Sequence, residues 1–158
     1  MKLKLLLPFL FVIYSCAQDS SIDRDDLIEK AGAPLLNGLG SHSFTISSKV
    51  EGVQDYFNQG LIMAFAFNHA ESIRSFKAAQ KLDPNCAICF WGEALALGPN
   101  INVTSDGKAI MSPQERLDAF KRTNKAIALI ELASPKEKDF ILTLKSRYNG
   151  DVNSSRVP

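Results

Sequence analysis

Several things are scarce in this chain of 158 residues. Positive charge is not in excess: 18 Lys and Arg face 17 Asp and Glu, a net charge of +1. A nucleic-acid-binding domain normally carries a basic stripe, so that class is set aside. Cysteine occurs three times, too rarely for a small disulfide-stapled scaffold. Histidine occurs twice, at His42 and His69. No Gly-rich phosphate loop follows a strand pattern, and Gly-x-Ser-x-Gly and His-Glu-x-x-His do not occur. No catalytic constellation and no cofactor is therefore expected. What remains is 46% hydrophobic and 22% charged, the balance of a globular protein with a real core.

The N-terminus reads as an address. Lys2 and Lys4 precede the apolar run Leu5–Tyr14, interrupted only by Pro8. Such a run is too short to span a bilayer as a helix and suits a signal-peptide core. Ile13-Tyr14-Ser15-Cys16 resembles the bacterial lipobox, which implies cleavage after residue 15 and lipid attachment at Cys16. Losing Lys2 and Lys4 would move the net charge from +1 to −1. An ordinary secretory signal is the alternative. Residues 16–47 are expected to be an acidic tether, with Asp19, Asp23, Asp25 and Asp26, followed by a loop segment with a short helix near 26–31.

From Ser48 onward, helix starts recur. Ser48/Glu51, Asn68/Glu71, Ser112/Glu115 and Ser134/Glu137 have capping-box spacing, and Asp83-Pro84 is a fifth start. Between them, apolar residues repeat at helical intervals: Val53, Phe57, Leu61 and Ala64, then Ile73, Phe76 and Ala79. The spacing predicts helices over 49–66, 69–82, 84–97, 113–133 and 135–148.

Tyr56, Gly60, Ser72, Phe76, Ala79 and Pro84 resemble the consensus positions of the tetratricopeptide repeat. Tyr56-Phe-Asn-Gln-Gly-Leu61, Phe67-Asn-His-Ala-Glu71 and Trp91-Gly-Glu-Ala-Leu are similar to segments of exported bacterial proteins of that family. The resemblance implies an all-α fold of helix–turn–helix repeats stacked as a short solenoid over residues 48–158. It also implies an envelope location, but no reaction. Related proteins carry more repeats, so the chain is expected to be an N-terminal fragment. Phe140, Ile141 and Leu144 are then expected to lack a covering helix, with no cap from residues 149–158.

Cys86-Ala-Ile-Cys89 is the sharpest chemical motif. Thiols in the first turn of a helix are held toward the thiolate by the N-terminal partial charge. Two small buried residues, a structural disulfide and a redox pair all fit. Phe90 stands where a c-type haem site needs His. Zinc could recruit His42 and His69, but their spacing from the cysteines is wrong for a finger. His69, just inside a helix start, is expected to be a structural residue with a hydrogen-bonded ring. The interval Gly98–Met111 is long enough to carry specificity through Asn100 and Asn102. The reading that follows is a lipid-anchored scaffold binding a protein or peptide partner, with Asn58, Gln59 and Met63 of the first repeat as accessible contacts. A thiol-redox or metal protein using Cys86 and Cys89 is the alternative.

Overall fold

A computed structural model describes residues 23–99, 111–148 and 150–151. Among these residues the protein is all-helical: α1 (Arg24–Ala31), α2 (Val53–Phe65), α3 (His69–Leu82), α4 (Ala87–Leu97), α5 (Pro113–Ala128) and α6 (Pro135–Lys145), with one 3-10 turn at Ile130–Leu132. In sequence order, α2 packs on α3, α3 on α4 and α4 on α5; α6 lies against both α4 and α5, and α2 also touches α4.

The helix starts divide by what their caps do. Ser112 and Ser134 form complete capping boxes with Glu115 and Glu137, each followed by Pro at the first helical position. Asn68 accepts the Glu71 N–H at 3.3 Å. Ser48 does not cap α2: its hydroxyl donates to Asp83 Oδ2 at 2.6 Å and accepts the Val50 N–H at 3.3 Å in a turn ahead of the helix. Helix α2 therefore begins later than expected, after Gly52. Gly52 adopts φ +79°, and a Cβ there would lie 2.4 Å from Leu27 Cδ1, so the residue that opens α2 takes a side chain of α1 at a position that only glycine fills. Helix α4 also starts late. Asp83 Oδ1 accepts the Asn85 N–H at 2.9 Å in a side-chain turn, which leaves Cys86 as N-cap and Ala87 as first helical residue. The expected helix 113–133 ends at Ala128 and tightens into the 3-10 turn, and the expected helix 135–148 ends at Lys145.

The centre is Phe76, fully buried on α3. It fits because two neighbours have no side chain. A Cβ on Gly60 would lie 2.9 Å from its ring, and one on Gly92 only 2.3 Å. Ser72 closes the α2–α3 approach by donating to the Gly60 carbonyl at 2.7 Å. Phe57 meets Phe76 edge-on at 5.5 Å. The last helix is better covered than expected. Ile141 and Leu144 are buried, and the tail contributes Tyr148, whose hydroxyl donates to the Ala94 carbonyl at 2.8 Å. Phe140 alone of the three named residues stays open, at 40% exposure.

Candidate functional site: the α2 face and the strap across it

Residues 33–48 form neither helix nor strand. They cross α2 at Gln54, Tyr56, Asn58 and Gln59, and we call them the strap. An irregular segment cannot satisfy its own backbone, so something must do it for the buried part. Three amide side chains of α2 do. Gln54 accepts the Ile46 N–H at 3.0 Å and donates to the Phe44 carbonyl at 2.9 Å. Asn58 accepts the Phe44 N–H at 3.1 Å. Gln59 accepts the Leu36 N–H at 2.7 Å and donates to the Pro34 carbonyl at 3.0 Å. Tyr56 adds a bond from its hydroxyl to the Ala33 carbonyl at 2.5 Å. Burial raises the Tyr56 pKa, with Arg24 opposing, which keeps this hydroxyl a donor. The N–H and carbonyl of Phe44 and the N–H of Ile46 all turn to one side, the edge that an extended chain offers a neighbour.

The strap is fixed at its far end by α6. The Ser47 backbone donates to Glu137 Oε1 at 2.9 Å, and its hydroxyl donates to Oε2. The Ser134 N–H reaches Ser47 Oγ at 2.9 Å and Glu137 Oε2 at 2.7 Å. Glu137 is 1% exposed and, among the described residues, its carboxylate is held by Ser47 and Ser134 and not by a cation. Burial pushes its carboxyl up, but the bonds from Ser47 and Ser134 outweigh burial and leave it below the ordinary carboxylate value. Between the two ends, the Phe44 ring sits 5.9 Å from Phe57 of α2 and 5.5 Å from Phe140 of α6. Lys136 Nζ lies 4.2 Å over it. Trp91 of α4 continues the aromatic row, 5.4 Å from Phe140. Beyond it opens a cavity of about 480 Å³ lined by Trp91, Leu95, Pro99, Phe140 and Arg147.

This arrangement corrects the expected contact residues. Gln59 is buried under the strap and Met63 is buried too, so neither is accessible. Asn58 is half-buried and already engaged, its amide also donating to Ser43 Oγ at 3.1 Å. Asn100, Asn102 and Cys16 lie outside the described residues.

No protein-family model, curated protein or solved structure matches this chain. The functional reading therefore rests on the geometry and on the chain's own residues. Cys86 and Cys89 are joined in a disulfide at the start of α4, 5% and 0% exposed. Among the described residues, no group of three His, Cys, Asp or Glu could hold a metal ion. His42 is exposed on the strap, while His69 starts α3. Neither ring nitrogen of His69 finds a hydrogen-bond partner among the described residues, contrary to the expected bonded ring. Glu93, buried on α4, is neutralised by Arg122 at 3.0 Å and Lys77 at 3.7 Å, and accepts from Gln80 at 2.7 Å. It ties α3, α4 and α5 together. Sequence reasoning missed Gln54, Phe44 and Ser47. The available signal was a run from Ala31 to Ser48 without a single Asp, Glu, Lys or Arg, beside a helix carrying amides at positions 54, 58 and 59.

Proposed function

We propose that the protein is a membrane-anchored helical-repeat scaffold of the bacterial envelope that binds an extended segment of a protein partner on the face formed by α2, α4 and α6. In this reading α2/α3 and α4/α5 are tetratricopeptide-like pairs and α6 opens a third. The pairwise packing order and the Gly60–Ser72–Phe76 contact support that arrangement. The observation that carries the binding role is the set of α2 amides satisfying the main chain of a segment that is neither helix nor strand, since main-chain hydrogen bonds are a recurrent way of holding peptides. The anchor rests on Lys2, Lys4, the apolar run and Cys16. No helix among the described residues is long and apolar enough to cross a membrane. The near-complete burial of both sulfurs supports a structural cross-link over thiol exchange.

Two measurements test this reading. A random-peptide library is selected against the full chain, and a photo-crosslinking residue is placed at Phe140 or, as control, at exposed Lys121 on α5. Selected peptides should be captured at 140 and not at 121; capture at neither, or at both alike, sinks the reading. A clickable fatty-acid label should enter the wild-type protein in bacteria and be lost in Cys16→Ala. An unlabelled wild type removes the anchor.

A further inference from the structure

We infer that the strap is a resident stand-in for the partner, and that the partner is an extended, uncharged segment with one aromatic side chain that takes the strap's place. The inference rests on the peptide-binding reading above and names its ligand class and its control.

The strap's contacts separate into two kinds. Most of those from Gln54, Asn58, Gln59 and Tyr56 onto residues 33–46 go to main-chain atoms; the exception is the Asn58 amide, which donates to Ser43 Oγ. Any chain held in the same conformation offers these main-chain groups, so those contacts select conformation and not sequence. The second kind is side-chain specific. Phe44 is seated between Phe57 and Phe140 under Lys136. The seat is not closed, because Phe44 is half-buried and Phe140 is 40% exposed. The occupant carries no Asp, Glu, Lys or Arg from Ala31 to Ser48, so no ion pair of its own holds it.

The fit is also incomplete. Between Leu36 and Ser43 the strap leaves a cavity of about 420 Å³ against α2, lined by Arg24, Leu36, His42, Asp55 and Ile62. Only Ala33 and Ile46 of the strap join the buried core. Phe76 itself is enclosed by Phe57, Gly60 and Gly92, none of which lies on the strap. A segment with few buried apolar contacts and many side-chain-to-backbone bonds opens locally at lower cost than the core. While it is in place, a competing peptide sees only the strap-free fraction of molecules, and its apparent affinity falls by that fraction.

The test uses the full chain and a fluorescent synthetic peptide with the sequence of residues 33–48. Phe44→Ala weakens the resident strap and leaves the face intact. The peptide should bind this variant about tenfold tighter than wild type, and a peptide with Ala in place of Phe should lose binding to both. In wild type, excess peptide should raise amide hydrogen exchange across residues 33–48. That second measurement decides alone if Phe44→Ala does not fold. Equal affinity for both proteins with unchanged exchange overturns the inference but leaves the scaffold reading, which the crosslink at 140 judges separately. No binding to either protein also overturns it, and if the crosslink fails as well the scaffold reading falls with it.

Discussion

The two sides of α2 are covered in different ways. Toward α3 it meets another helix, through Phe57, Gly60 and the buried ring of Phe76. A helix satisfies its own backbone, so that interface needs mainly shape, plus the bonds from Ser72 to the Gly60 carbonyl and from Gln59 to Ser75 Oγ. On the other side α2 meets an irregular segment. Here the backbone groups must be answered one by one, and α2 carries amides where a helix–helix contact would carry aliphatics. Packing makes the first side permanent. The second is held by directional bonds of modest net worth, which can be exchanged for equivalent bonds to another chain.

The largest expected effect breaks the packed side. Phe76→Ala removes a fully buried ring from a site that two glycines hold tightly, with little room to collapse. We expect a loss of about 4 kcal/mol in global stability, read from denaturant midpoints at unchanged slope. A loss under about 1 kcal/mol would mean that the α2–α3–α4 layer is not the centre of the fold.

Gln59→Leu attacks the other side at nearly constant volume. It strands the Leu36 N–H and the Pro34 carbonyl and removes the bond to Ser75 Oγ. The expected cost is about 2 kcal/mol, with the Leu36 amide losing exchange protection before the α3 and α4 amides. Simultaneous loss everywhere would show that the strap and the core unfold as one unit, which contradicts the comparison.

The strap and the tail should fail at opposite ends of the pH scale. Glu137, which clasps the strap, has a depressed pKa in the fold. The folded state therefore binds fewer protons than the unfolded one. The stabilisation is present above the ordinary carboxylate value of 4.5 and is lost as pH falls through the folded value. Tyr148, which ties the tail to α4, is pushed up by burial to about 12 from 10.0. Its contribution is intact below pH 10 and is lost as pH rises toward 12, on the order of 2 kcal/mol. Hydrogen exchange should show residues 43–48 opening first in acid, and the α4–tail contact opening first in base. Glu137→Gln should remove the acid dependence and leave the alkaline one.

How much of this was legible follows from the same contrast. Phe76, Gly60 and Ser72 could be read because helix packing leaves periodic marks, and the intervals located the contact. Ser134 and Glu137 could be read as a capping box because both partners lie within one turn. The remaining contact of Glu137 reaches back to Ser47, far along the chain, and sequence spacing has no term for that. The strap was equally hidden. Its bonds to Gln54, Gln59 and Tyr56 use main-chain atoms that every residue has, so no residue pattern marks the recipient. Asn58 and Gln59 are expected as accessible contacts because the first helix of a repeat lines its groove, whereas in the fold the chain itself engages both. The late start of α4 was hidden by Asp83, whose side chain makes a turn with Asn85 in place of capping a helix at Pro84.

The smallest effect separates charge from packing within the aromatic seat. Lys136 is exposed, yet its ammonium lies 4.2 Å over the Phe44 ring. A cation at an exposed aromatic face contributes about 0.5 kcal/mol, from attraction between its charge and the ring quadrupole. Lys136→Met keeps a long apolar stem and removes the charge; Lys136→Arg keeps both. Exchange at the Phe44 and Ile46 amides should roughly double in the Met variant and stay near wild type in the Arg variant. Global stability should not change in either, because the strap opens below the global barrier. If Met and Arg behave alike, the stem and not the charge covers Phe44. A partner segment would then need only an aromatic ring of the right size, and an electron-poor ring would bind as well as an electron-rich one. If they differ, the seat selects for ring electronics as well as shape. A strap peptide carrying pentafluorophenylalanine, whose quadrupole is reversed, should then bind more weakly than the native peptide.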